Sequence, residues 1–142
     1  MNIFNYKRCG VVILWVNGKI MLCERRKGKF RGYFGVAGGK IESDESILVG
    51  VLREFGEETG ASLYNRNIEF LDCYILPKAE QKVFIFESLQ PLPFWNNIKN
   101  TEPEKHGKWN LYTKEQALKL QLMPHIRQYL ESIDPQTKLP KI

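Results

Sequence analysis

The sequence predicts an α+β domain, an α/β/α sandwich around a mixed β-sheet, and three observations carry that expectation. Short β-branched and aromatic runs in the first third meet at Asn17-Gly18. A stretch with apolar residues at helical spacing lies between Ser43-Asp44 and Gly60. Capped helical segments follow the last strand signals near the carboxy terminus. Strands around a central helix with further helices at the end form layers, because each element buries one apolar face against a neighbour.

Taken in order, Val11 to Val16 reads as a strand, and Lys19 to Cys23 as its hairpin partner. Asn-Gly between two such runs is a strong two-residue turn signal. A basic loop, Arg25-Arg26-Lys27-Gly28-Lys29-Phe30-Arg31, comes next, then an extended piece from Tyr33 to Val36. Gly38-Gly39 is expected to break the chain ahead of a helix capped by Ser43 or Asp44 and closed by Gly60. In that helix Ile47, Leu48, Val51, Leu52 and Phe55 form the stripe that should face the core. Ile68 to Leu76 and Lys82 to Ser88 read as strands around a turn at Pro77, Asn97 to His106 as a polar loop, and Lys108 to Tyr112 as a last strand. Thr113 with Gln116 has the form of a capping box, opening a helix to about Leu120. A further helix is expected over Pro124 to Ile133, its proline tolerated in the first turn. The tail from residue 134 to 142 holds two prolines and is expected to fray.

A chain of 142 residues fits a single domain, and at that size roughly 70% of the unfolded surface is buried without a metal or disulfide staple. Apolar residues at 43% and charged residues at 26% exclude a disordered or fibrous protein. The net charge of +5 is compatible with an anionic small ligand, a nucleic acid or a membrane surface, so charge alone does not choose among them. Cys9, Cys23 and Cys73 are odd in number, widely spaced and set in apolar runs, which points to free buried thiols in a reducing compartment. The amino terminus lacks the order of a signal peptide, and Val11 to Val16 is far too short to span a bilayer. A cytoplasmic protein without a membrane partner is the expectation.

The segment from Gly39 to Ala61 carries the chemistry. Glu54, Glu57 and Glu58 sit at i, i+3 and i+4, on one arc of the helix at the margin of the apolar stripe. Like charges at that spacing cost about 0.2–0.5 kcal/mol per pair, and the carboxy-terminal end of a helix disfavours anions further. Helix propensity does not ask for this arrangement; a hard divalent cation would neutralise it. An acidic trio on its own is more often a solvated face.

The complete pattern is more specific. Gly39, Glu45, Arg53, Glu54, Glu57, Glu58 and Gly60 fill every fixed position of G-x5-E-x7-R-E-U-x-E-E-x-G-U, where U is a bulky apolar residue. Phe55 fills the first U, and Ala61 is a small residue at the second. The chain therefore resembles the Nudix hydrolase family, from about Tyr6 to Ile133 in element order. Two departures touch only the loop: Ala37 stands where a proline often precedes the glycines, and Ser43-Asp44 where Pro-Gly often precedes the glutamate.

The resemblance implies an α/β/α sandwich with the motif as loop–helix–loop. It implies that Glu54, Glu57 and Glu58 bind Mg²⁺ or Mn²⁺, with the Gly39 carbonyl and a late-loop acid, Glu104 ahead of Glu102, as further ligands. Glu57 is the first choice of general base, with Glu54 beside it, while Arg53 and Glu45 support the carboxylates through the guanidinium fork. Lys40, Arg25 and Arg26 are candidate phosphate contacts. Trp109 is a candidate for stacking on a base, weighed against a place in the core. Phe94 and Trp95 are candidates for covering the pocket or a homodimer surface. The implied substrate is a small nucleotide, a nucleoside triphosphate of the MutT-like group first. ADP-ribose, a dinucleoside polyphosphate, a nucleotide sugar or an RNA 5′-triphosphate end is the alternative, and a regulatory module without catalysis the third reading.

Overall fold

In the computed structural model residues 2–140 are described, and they form a seven-stranded mixed sheet with helices on both faces. The hairpin is as the sequence predicts. β1 (Lys7–Val16) and β2 (Lys19–Glu24) meet across Asn17 and Gly18, both in the left-handed region at φ 51° and 82°, which only such residues adopt cheaply. β1 pairs in parallel along its whole length with β6 (Gln81–Gln90), Lys7 opposite Gln81 and Val16 opposite Gln90. β5 (Glu69–Leu76) lies antiparallel on the far side of β6.

The other edge of β1 is shared between two partners. Trp15 and Val16 pair with Ile20 and Lys19, whereas Cys9 to Val12 pair with β4 (Ala37–Lys40). β2 turns away to join β7 (Asn110–Tyr112) and β3 (Phe34–Gly35). Gly38 and Gly39 therefore do not break the chain; they are strand residues opposite Val11 and Gly10. Glycine is required here because a Cβ on Gly38 would stand 2.2 Å from the Gly10 carbonyl oxygen.

Alternation along β1 sorts the two layers. Val12, Leu14 and Val16 join Val51 and Phe55 of α1 (Ile47–Thr59). Ile13 and Trp15 join Ala117 of α2 (Lys114–Leu118) and Ile126 and Leu130 of α3 (Pro124–Ser132). The predicted stripe is narrower than its sequence: Leu48 is 36% exposed, and the helix buries chiefly Val51 and Phe55. Its N-cap is Ser46, whose hydroxyl accepts from Val49 N–H, rather than Ser43 or Asp44. Gly60 closes it at φ 72°, and the Thr113–Gln116 capping box forms as expected. Of the thiols, Cys23 is buried but Cys9 and Cys73 are only half so, and none is in a disulfide. No helix among the described residues is long and apolar enough to cross a membrane.

The tail does not fray over its described part; residues 141 and 142, and residue 1, lie outside the described residues. Asp134 caps a 3₁₀ turn over Pro135–Lys138, and Lys138 Nζ lies 3.0 Å from a carboxylate oxygen of buried Glu87. The Tyr129 hydroxyl donates to the same carboxylate and accepts from Trp15 Nε1 at 2.7 Å. Burial, with Glu87 adjacent, pushes the Tyr129 phenol well above its ordinary pKa, so it stays a neutral donor. A pinned lysine outweighs the prolines. Lys138→Ala should destabilise the fold by about 1–3 kcal/mol, because it leaves a buried carboxylate short of its counter-charge. A urea unfolding curve should show the lowered midpoint, and Glu87→Gln in the same background should restore part of it.

Candidate active site

A cavity of about 1090 Å³ opens where β1 changes partners. Its lining includes Cys9 and Val11 of β1, Gly38 to Lys40 of β4, and Glu54, Glu57 and Glu58 of α1. Helix α1 lies on the far layer, and its acidic arc reaches the cavity past the glycine strand. The close approach is explicit: a Cβ on Gly39 would stand 2.3 Å from Glu54 Oε2.

Arg53 organises the acids. Its Nε and Nη2 bind the two oxygens of Glu45 at 3.1 and 2.6 Å, and Nη1 reaches Glu54 and Glu57, each at 3.0 Å. Nη2 also donates to the Lys40 carbonyl at 3.1 Å, so the guanidinium ties helix to strand. The bidentate bond from Arg53 holds the Glu45 carboxyl down at about 2. Burial raises the Glu54 pKa despite the opposing hydrogen bond from Arg53.

Glu58 is held differently. One oxygen accepts the Gly38 N–H at 2.6 Å, and the other lies 3.2 Å from His106 Nε2, with only 8% of the side chain exposed. His106, Glu58 and Glu102 bring three donor atoms within 4.8 Å of one another. The loop that supplies them is strapped in place. Thr101 Oγ1 donates to the Glu57 carbonyl, Gly107 N–H to the Glu24 carbonyl at 2.7 Å, and Arg26 Nη1 to the Pro103 carbonyl at 2.8 Å.

A family model described as the NUDIX domain matches residues 6–133. The chain belongs to the Nudix family. It is 31% identical over 71 residues to the uncharacterised Nudix hydrolase YvcI of Bacillus subtilis (strain 168), across 50% of this chain and 43% of that protein. It is 40% identical over 48 residues to an ADP-ribose pyrophosphatase of Methanocaldococcus jannaschii, across 34% of this chain and 28% of that one. The matched stretches thus span less than half the length of either curated relative. Among solved structures, the MutT NUDIX hydrolase from Burkholderia pseudomallei superposes with a TM-score of 0.75 at 20% identity, over 90% of this chain and 98% of the other. That likeness shows the fold.

Of the motif residues Gly39, Glu54, Glu57 and Glu58 line the cavity together with Lys40 and Arg25, while Glu45 and Arg53 join them through hydrogen bonds. Two expected site residues do not stand where the sequence put them, and a third, Trp109, takes the core place that was weighed for it against stacking. Glu104 is exposed and outside the cavity lining, while Glu102 lines it. Arg26 is spent on the loop strap rather than on the cavity. Trp109 is 3% exposed, packed in the α1-side core and donating to the Glu58 carbonyl at 3.4 Å; no face is open for stacking. Phe94 and Trp95 also pack against that core and do not line the cavity. Sequence reasoning missed His106 and His125. Neither has a periodic neighbour, and the only signal was that they are the two histidines of the chain.

Glu58, Glu102 and His106 are the group whose donor atoms converge, and Glu54 and Glu57 line the same cavity, so its carboxylate oxygens are compatible with a hard divalent cation. Gly39→Ala should displace the Glu54 carboxylate and weaken Mn²⁺ binding about 10–100-fold, read by titration calorimetry. Glu45 gives a separate acid signature. Its folded pKa lies below the ordinary 4.5, so the stability it adds is whole above that value and is lost as the pH falls towards 2. Between those limits the unfolding midpoint of Glu45→Gln should depend less on pH than that of the wild type.

Proposed function

We propose that the chain is a metal-dependent pyrophosphohydrolase, cleaving a phosphoanhydride bond of a nucleoside triphosphate to give the monophosphate and pyrophosphate. The observation that carries the reading is the acidic arc of α1 turned into a cavity whose lining also holds Lys7, Lys27, Lys29, Lys40 and Lys105, the last paired with Glu102 at 3.0 Å. Cations in the lining suit a polyphosphate, while the carboxylates need a metal before an anion can approach.

Glu54, Glu57, Glu58 and Glu102 would hold Mg²⁺ or Mn²⁺, with the Gly39 carbonyl beside them. Such an ion supplies Lewis-acid polarisation of the phosphate oxygens. The chain does the rest. Glu57, with 53% of its side chain exposed against 19% for Glu54 and 8% for Glu58, is the carboxylate an incoming water meets. It accepts the water's proton as the oxygen–phosphorus bond forms, the bridging bond breaks, and pyrophosphate leaves. Arg53 and Glu45 keep the arc rigid, and Lys40 and Arg25 orient the phosphate chain.

ADP-ribose is the second reading, favoured by the name of the Methanocaldococcus jannaschii relative and by a cavity roomy enough for a second sugar. Hydrolysis of a nucleotide panel with Mg²⁺, with products separated by chromatography, tests both. Monophosphate and pyrophosphate from a triphosphate, with Glu57→Gln slower by about 10²–10⁴-fold, is the expected result. Turnover of ADP-ribose alone would replace the substrate assignment. Tight nucleotide binding without turnover would make the domain a regulatory module.

A further inference from the structure

The glutamates that α1 and the late loop bring to the cavity each have a partner, and the partners differ in how firmly they are held. Arg53 serves Glu54 and Glu57, and its own fork is locked by Glu45 and the Lys40 carbonyl. Glu58 accepts from the Gly38 amide and faces buried His106. Glu102 is answered by Lys105, whose Nζ lies 3.0 Å from Oε2. Of the five lysines in the cavity lining, Lys105 alone forms an ion pair among the described residues.

Lys105 combines a fixed root with a loose end. Its amide donates to the Glu102 carbonyl at 2.9 Å, and its carbonyl accepts from Arg26 N–H at 2.8 Å, so the backbone is pinned on both sides. Its side chain is 55% exposed, on a flexible aliphatic stem that can turn without disturbing packing. An ion pair so open to water is weak and exchanges readily. The carboxylate it occupies belongs to the group in which Glu58, Glu102 and His106 bring their donor atoms within 4.8 Å of one another. An ammonium and a divalent cation on one carboxylate repel, so each disfavours the other. A displaced ammonium stays at the cavity, because its root is fixed, and the anion that would meet it there is a phosphate chain.

We propose that Lys105 is an exchangeable counter-ion, which holds Glu102 while the site is empty and moves to the substrate's phosphate chain once a divalent cation has taken Glu102. Metal and polyphosphate binding are thereby coupled through one side chain. A bare metal ion must compete with the lysine, whereas a metal bound to polyphosphate brings the lysine a new partner, so the site favours the complex over the ion alone. The assignment rests on the metal and polyphosphate reading above, yet it can be read without turnover.

Titration calorimetry on the full chain tests both positions of the ammonium. Bare Mn²⁺ should bind Lys105→Met about two- to fivefold more tightly than the wild type, the change expected when an exposed ion pair no longer competes. The Mn²⁺ complex of inorganic tripolyphosphate should bind the same variant about three- to tenfold more weakly, because a charge-assisted hydrogen bond to phosphate is gone. Lys105→Arg, which keeps the charge, should return both affinities to within about twofold of the wild type. A damaged loop would weaken both ligands together, so the opposite signs separate this role from a structural one. Bare Mn²⁺ binding Lys105→Met no more tightly than the wild type, or an unchanged affinity for the tripolyphosphate complex, would overturn the proposal. Hydrolysis of a triphosphate without the opposed shifts sinks this proposal and leaves the catalytic reading intact. Opposed shifts without hydrolysis of any nucleotide sink only the catalytic reading.

Discussion

The site depends on a single guanidinium. Three carboxylates on one turn of a helix, at the end where the dipole already disfavours anions, would push apart or bend away into water. Arg53 sits among them and uses its fork on Glu45, Glu54, Glu57 and the Lys40 carbonyl at once. No lysine does this, because an ammonium has neither the plane nor the donors. The bond to Lys40 matters as much as the ion pairs. It fixes the distance between α1 and β4, and with it the gap in which Glu54 passes beside Gly39. The motif is thus a mutual constraint. The helix supplies acids, the strand supplies room, and the arginine keeps them in register.

Glu58 lies outside that arrangement. Its oxygens are satisfied by the Gly38 amide and by His106, a residue far along the chain. The acidic arc therefore has two supports of different origin, one local to the motif and one delivered by the strapped loop after Asn100. This is why Glu102, rather than its neighbour Glu104, reaches the cavity. The turn that points His106 at Glu58 carries the Glu102 side chain with it, its carbonyl accepting the His106 amide at 3.1 Å, and leaves Glu104 in solvent.

Much of this was legible in the residues. Asn17-Gly18, the Thr113–Gln116 box, Gly60 and the motif spacing are local signals, and local signals set local structure. What escaped depended on partners distant in sequence. Gly38-Gly39 looks like a break because glycine weakens an isolated strand, but β1 offers it a free edge and the crowding at Gly10 demands it. The tail looked frayed because nothing near Lys138 announces Glu87. Trp109 offered both a stacking role and a core role, and burial under α1 decides for the core. His125 carries no pattern at all; only the fold brings it to the cavity wall.

The pairing of β1 has a kinetic consequence. The hairpin with β2 closes over two residues, but the parallel ladder with β6 joins segments separated by half the chain and must overcome the closure entropy of everything between. The cavity borrows its walls from both kinds of contact, so no early, local intermediate contains it. It comes into being with the cooperative transition of the fold. An occupant then has nothing to grip in partly ordered states, and its binding free energy adds to the stability of the whole fold. For this protein, occupancy and global unfolding are linked variables, and each can be read through the other.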